Sequence, residues 1–425
     1  MRISKPITLF TKDLSFYHSL LKSCVHGDNS SSPLTVFRDL LRSSLTPNHF
    51  TMSILLQASS TSIGSLKLVQ THLKKSGIDR FVYVKTSLLD LYLKMGFVAT
   101  AGKLFDEMPE RDTVAWNAMI CGYSRNGYER DAWHLFVTLH ETPLISWNSV
   151  ISGCVQSGRA STAFEIFHKM SLSDGHVLPD AITIASLLAG CSQLSCLPLG
   201  KTLHGYILRN SFGNEKFVCT ALIDMYAKCG NAELSERVFK TIDAPCTATW
   251  NSMISGYSLS GLQSRALSCY LEMREQGSKP DKITFLGVLS ACTHGGLVDE
   301  GRVYFREMIK EFGISPNLQH YALMVGLLGR ACLFSEAVNL IWEMDMKADS
   351  AVWGALLSAC IVNREVEIGE YVAKKMFMLD YRNGGLYVLM SNLYATEEMW
   401  DDVSRVRRMM KDNGYDGYLG VSQTL

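Results

Sequence analysis

Three tryptophans, Trp147, Trp250 and Trp353, stand at equal intervals of 103 residues, and each opens a nearly identical string: WNSVI, WNSMI and WGALL. A fourth such string, WNAMI, begins at Trp116. A recurrence this long means either tandem domains or an array of smaller units, and the other landmarks select the array. Glu-Met closes segments at 107–108, 272–273, 307–308 and 343–344, and Pro followed by Asp or Asn appears at 47–48, 179–180, 280–281 and 316–317. Together they divide the chain into sub-repeats of 31 to 37 residues. LDLYLKMG at 89–96 and IDMYAKCG at 223–230 mark one position in a shorter kind of sub-repeat that has no Pro-Asp end.

Within residues 247–281, Trp250, Met253, Ile254 and Tyr257 follow the i, i+3, i+4, i+7 spacing of one amphipathic helix. Gly261 ends it. Ala266, Leu267, Tyr270, Leu271 and Met273 form the apolar stripe of a second helix, which Gly277 and Pro280 stop. Two helices of about a dozen residues cannot bury their apolar faces alone, so neighbouring hairpins must stack. The expected fold is therefore an all-α solenoid with a long groove, whose Trp residues belong to the core.

Composition supports one continuous array. Of 425 residues 47% are apolar and 19% charged, Lys+Arg at 41 balance Asp+Glu at 41, and no Pro-rich or Gly/Ser-rich linker interrupts the chain. The uncharged stretch 181–200 is broken by Thr183, Ser186, Ser192, Gln193, Ser195 and Pro198, so it falls short of the roughly 18 apolar residues of a membrane span. The 12 cysteines are scattered without a CxxC pair, which excludes a zinc or disulfide framework and reads as small buried apolar groups in a reducing compartment. Residues 1–13 are a short basic N-terminus, with Arg2, Lys5, Lys12 and hydroxyls at Ser4, Thr8 and Thr11, as part of an organelle presequence would be.

With these strings in view, the sequence resembles plant pentatricopeptide repeat proteins of the class that mixes P-, L- and S-type repeats, the PLS class, E subgroup. P-type repeats are placed at 14–48, 144–180 and 247–281, L-type at 49–81, 181–215 and 282–317, and S-type at 82–112, 113–143, 216–246 and 318–349. The array thus covers 14–349 in about ten repeats. Residues 350–383, with AVWGALLSACIVNREVEIGEYVAKKMFMLD, and 384–425, with GLYVLMSNLYATEEMWDDVSRVRRMMKDNGY, resemble the two E-type motifs, the second with an atypical ending, GYLGVSQTL. HYALMVGLLGRA at 320–331 is equally close to the family pattern. The resemblance implies a right-handed α-solenoid that binds single-stranded organellar RNA. It also implies specification of a cytidine for C-to-U editing, with a DYW-type deaminase and other editing factors acting in trans. The expected location is the mitochondrion, with the chloroplast as the alternative.

The groove chemistry follows from the register. The fifth residue of a repeat faces the groove and is Asn at Asn117, Asn148 and Asn251, an amide whose donor and acceptor match a pyrimidine edge. The last residue lies beside it: Asp180 and Asp281 close two Asn repeats, and Asp112 closes the repeat with Thr86 at position five. Second-position residues Val114, Ile145 and Ala248 would pack on base faces. By resemblance Asn with Asp favours uridine and Thr with Asp favours guanosine. The family register then puts U at the sixth, a pyrimidine at the ninth and G at the eleventh nucleotide upstream of the cytidine, with Thr220 suggesting a purine at the seventh. His18 with Asn48, Cys246 after Thr220 and Pro143 after Asn117 depart from the favoured pairs, and Ser53, Ala185 and Leu286 in L-type repeats offer little hydrogen bonding.

No catalytic constellation is expected. None of the 11 histidines is followed two residues later by Glu, so the H-x-E and C-x-x-C of a zinc deaminase are absent. LGKT at 199–202 lacks the first glycine of a phosphate loop, Ser195 standing there. The chain is read as a binding protein, not an enzyme, with no cofactor, metal, membrane or small-molecule substrate. Zero net charge weighs against strong phosphate binding, and Arg405, Arg407, Arg408 and Lys411 are either a phosphate or partner contact or a solvated helix face. The alternatives kept open are transcript stabilisation or splicing without editing, and a protein-interaction solenoid.

Overall fold

The computed structural model describes residues 13–26, 33–43, 45–58, 63–138, 143–172, 177–379 and 384–415. The presequence reading at Arg2, Lys5 and Lys12 and the ending GYLGVSQTL lie outside them. Among the described residues there are 24 α-helices, two single 3₁₀ turns and no strand, so the chain is all-α. No helix is long and apolar enough to cross a membrane, and no group of three or more metal-binding side chains occurs, among the described residues.

The chain forms two compact units, Met1–Leu194 and Ser195–Leu425. In the first, helices Val82–Lys94, Thr113–Asn126 and Leu144–Gln156 each fold back through a short turn into a second helix, Leu14–His26 and His49–Ala58 each pack against the helix that follows, and Ala181–Leu194 packs on Ala160–Ser171. In the second, Lys216–Lys228, Thr247–Leu259, Lys282–Gly295, Leu318–Arg330, Ser350–Asn363 and Gly384–Thr396 do the same, preceded by Leu197–Arg209. First helices of successive hairpins pack side by side within each unit, which is the helical solenoid arrangement.

The hairpin corner explains the glycines that end the first helices. Gly261 has φ +72°, and the next amide, Leu262 N–H, donates back to Tyr257 O at 2.9 Å, closing the helix in a left-handed turn that glycine adopts without a Cβ clash. Gly256 serves closeness instead. A Cβ there would lie 2.6 Å from Ala227 Cβ on the preceding first helix, nearer than carbon atoms pack. Small residues at this turn let adjacent first helices approach and bury the Trp stripe between them.

The three evenly spaced tryptophans are core residues, and Trp116 is half-buried against the core. Trp250 is fully buried, and Trp147 and Trp353 are nearly so. Trp250 meets Phe239 edge-on at 4.8 Å between ring centres, and Trp147 meets Phe136 at 4.5 Å, so each indole joins its own hairpin to the second helix of the hairpin before it. Cys269, Cys292 and Cys360 are buried thiols that burial pushes up to about 12, which keeps them protonated and inert. No disulfide is present.

Candidate nucleic-acid interface

Asp281 is the N-cap of helix Lys282–Gly295. Its carboxylate accepts from Thr284 N–H at 2.9 Å, while its own N–H donates to Thr284 Oγ1 at 2.9 Å, a reciprocal cap that fixes the last residue of one hairpin to the start of the next. The same carboxylate accepts from Asn251 Nδ2 at 2.9 Å, and Thr284 Oγ1 donates to Asn251 Oδ1 at 2.6 Å. Asn251 is thereby held at both ends of its amide.

An identical triad sits in the first unit. Asn148 Nδ2 donates to Asp180 Oδ1 and Oδ2 at 3.0 and 3.2 Å, Thr183 Oγ1 donates to Asn148 Oδ1 at 2.5 Å, and Thr183 N–H donates to Asp180 Oδ1 at 2.8 Å. Partial burial pushes the Asp180 carboxyl up, but the hydrogen bonds from Thr183, Asn148 and Ile182 outweigh it, leaving the group below the ordinary carboxylate range. Asp180 is therefore an ionised acceptor at neutral pH. The closing residue thus bonds the fifth-position amide directly in these two repeats.

The other fifth-position residues are held differently. Thr86 and Asp112 are not joined: Asp112 caps Ala115 N–H at 2.8 Å, and Thr86 Oγ1 donates back to Val82 O at 2.9 Å. Asn117 is buried and its Oδ1 has no hydrogen-bond partner, and the closing residue of its repeat, Pro143, has no side-chain acceptor. Thr220 Oγ1 lies 2.9 Å from Thr249 Oγ1, which in turn lies 3.3 Å from Cys246 Sγ. That contact with Thr249 holds the exposed Cys246 thiol below its usual range, against partial burial. His18 and Asn48 are brought together through Thr51, with His18 Nε2 2.8 Å and Asn48 Oδ1 2.9 Å from its hydroxyl.

Sequence reading missed Thr51, Thr183, Thr249 and Thr284, the third residues of the repeats that follow. Their signal was present in NHFT, DAIT, CTAT and DKIT, a capping residue with Thr three positions on. Second-position side chains are exposed: Val114 at 63%, Ile145 at 59%, and Ala248 also. The row extends to Phe50, Tyr83 and Ile182 in the first unit and to Phe217 and Ile283 in the second, all exposed. Large apolar groups displayed at the second position of most hairpins are suited to stacking flat, unpaired rings.

In the second unit a cleft of about 710 Å³ runs along successive first helices and is lined by Ile283, Leu286, Ser290, Ala322 and Arg330 among others. Positions two, five, nine and thirteen of a repeat therefore open on one face.

A PPR repeat profile matches residues 83–113, 114–141, 145–174, 217–243 and 283–311, a PPR repeat family profile matches 245–294, and an E motif profile matches 363–424. A pentatricopeptide repeat-containing protein of Arabidopsis thaliana is 50% identical, with 100% of both chains covered. This chain belongs to the pentatricopeptide repeat family. Two other Arabidopsis thaliana pentatricopeptide repeat-containing proteins, one mitochondrial and one chloroplastic, are 41% and 43% identical over 97% and 96% of the chain. The chain spans 60% and 65% of their own lengths. Among solved structures, the pentatricopeptide repeat protein PPR10 from maize shares the fold with a TM-score of 0.65 at 17% identity, covering 95% of this chain and 64% of that one. PPR10 in complex with an 18-nt psaJ RNA element aligns with a TM-score of 0.56 at 19% identity, covering 86% and 55%.

The position-thirteen cations of the described repeats are all engaged within their own unit. Lys94 pairs with Asp90 at 2.6 Å, Lys228 pairs with Asp224 at 2.8 Å, Arg125 donates to Gln156, and Arg330 donates to Thr293 O at 3.3 Å. On the last helix Arg405 pairs with Asp402 at 2.5 Å and Arg407 donates to Ser391 Oγ at 3.1 Å.

His320 takes the third-position place in the hairpin after Leu286. It is fully buried, its Nδ1 accepts from Asn317 N–H at 3.1 Å and its Nε2 donates to Lys282 O at 2.9 Å. Burial lowers its pKa below the usual 6.5, and protonating Nδ1 would set two N–H groups against each other. The unfolded chain therefore binds the proton more readily, so stability is full above about pH 6.5 and falls as the pH drops below it. Denaturant midpoints measured between pH 7.5 and 5.5 should decline, and His320→Gln should flatten that decline; an unchanged slope would show that other groups carry it.

Proposed function

We propose that the chain is a sequence-selective reader of single-stranded organellar RNA that specifies a cytidine for C-to-U editing by a deaminase acting in trans. The observation that carries the reading is the pair of Asn–Asp–Thr triads, each beside exposed apolar second-position side chains. An amide held at both ends keeps one N–H and one oxygen lone pair for a ligand, a fixed donor–acceptor pair that suits the edge of a pyrimidine. The E-motif match favours the editing role, and relatives named mitochondrial and chloroplastic favour an organelle. The base assignments are U opposite Asn251/Asp281, a pyrimidine opposite Asn148/Asp180, G opposite Thr86/Asp112 and a purine opposite Thr220.

Sequencing organellar transcripts of a plant line lacking the protein tests the editing role. One or a few cytidines should revert to unedited, each with the assigned bases at the sixth, ninth and eleventh upstream positions. Unchanged editing with altered transcript ends or introns would replace this role with stabilisation or splicing.

The apolar cleft and the engaged cations favour, as a second reading, a groove for a protein partner. The two readings differ in salt dependence. For single strands each phosphate contact contributes about −0.7 to the slope of log affinity against log salt. With Lys94, Arg125, Lys228 and Arg330 as the groove cations, RNA binding should show a slope no steeper than about −3. A much steeper slope would place the phosphate contacts elsewhere, and no measurable RNA affinity would favour the protein-binding reading.

A further inference from the structure

Resting on the RNA-reading proposal, we infer that the threonine three residues after the closing residue, Thr183 or Thr284, is the positioning residue that sets the plane of the reading asparagine. The terminal torsion of an asparagine is soft and broad, so one hydrogen bond to an acid leaves the amide free to tilt. The hydroxyl adds a second anchor. Thr183 Oγ1 accepts from Asp180 N–H at 3.2 Å and has one proton to give; it lies 2.5 Å from Asn148 Oδ1 and 2.9 Å from Asp180 Oδ1, and the shorter contact takes the proton. Thr284 repeats the geometry at 2.9, 2.6 and 3.0 Å. With Nδ2 on the acid and Oδ1 on the hydroxyl, the remaining N–H and lone pair lie side by side in a fixed plane.

The chain contains its own control. In the hairpin after Asn117 the equivalent residue is Ser146, whose Oγ is buried with no partner while Asn117 Oδ1 is also without one. Threonine's γ-methyl restricts χ1 and aims the hydroxyl, whereas serine lacks that restriction. Among the fifth-position asparagines, the two followed by threonine at this position are anchored and the one followed by serine is not.

The test is binding of the full chain to RNAs that differ only at the nucleotide facing Asn148, Asn251 or Asn117, read as the ratio of pyrimidine to purine affinity. Thr183→Val should lower that ratio opposite Asn148 roughly three- to tenfold and leave it unchanged opposite Asn251, with Thr284→Val doing the reverse. Ser146→Thr should raise the ratio opposite Asn117, a gain that no folding defect can imitate. Uniform loss across all bases would make the threonine a helix cap alone and overturn the inference. So would a selective wild type whose two valine variants keep their preferences and whose Ser146→Thr variant gains none. A wild type without preference at either asparagine would end this inference together with the RNA reading.

Discussion

Replacing Trp250 with alanine is expected to lower the unfolding free energy by about 3–5 kcal/mol, the cost of emptying a large, fully buried aromatic site. The indole fills the space between its own helix and Phe239, and nearly two turns further along that helix Gly256 packs closely on Ala227 of the neighbouring first helix. Trp250→Phe should cost far less. Its ring keeps the edge contact, and the lost Nε1–H has no hydrogen-bond partner in the fold, so removing it relieves a buried unsatisfied donor. Equilibrium denaturation of both variants checks this. Equal losses would mean that the indole nitrogen, and not the apolar volume, is what the site needs. Because a stacked array depends on its nearest neighbours, the alanine variant should loosen the hairpins beside it before distant ones, visible as local gain in amide exchange.

The second large effect falls on specificity. Asn251→Ala should reduce the preference for U opposite that repeat by on the order of 1–3 kcal/mol, about fivefold to more than a hundredfold, while leaving the preference opposite Asn148 intact. Alanine removes both the donor and the acceptor and leaves Asp281 and Thr284 joined by their reciprocal cap, both bonds at 2.9 Å. The helix cap therefore survives the change. Asn251→Thr, with Asp281 kept, should move the preference from U toward G. Competition binding with four RNAs that differ at that one nucleotide measures both; an affinity that falls equally for all four would show that Asn251 supports the fold and reads nothing.

Much of the fold was visible in the chain because its signals are local and repeated. The Trp strings gave the period, the i, i+3, i+4, i+7 stripe gave the helices, and glycines such as Gly261 marked the corners, each one a short-range constraint that survives in any context. The site was less legible because its contacts cross from one hairpin to the next. Asn117, Asn148 and Asn251 look alike in register, yet only the last two are anchored, since Pro143 and Ser146 replace the acid and the threonine around the first. Thr86 and Asp112 look like a pair and do not touch: Thr86 bonds back to Val82 O and Asp112 caps Ala115 N–H. Thr183 and Thr284 read as ordinary cap partners in DAIT and DKIT, and their second bond to an asparagine more than thirty residues back appears only once the hairpins stack.

The central claim is that these triads read bases. Its most direct test is selection of bound species from a randomised RNA pool by the purified chain at a stated salt concentration, followed by sequencing. The account predicts enrichment of U opposite Asn251, a pyrimidine three nucleotides upstream of it opposite Asn148, and G two further upstream opposite Thr86. A bound pool as random as the starting one, or no bound pool at all, would contradict it.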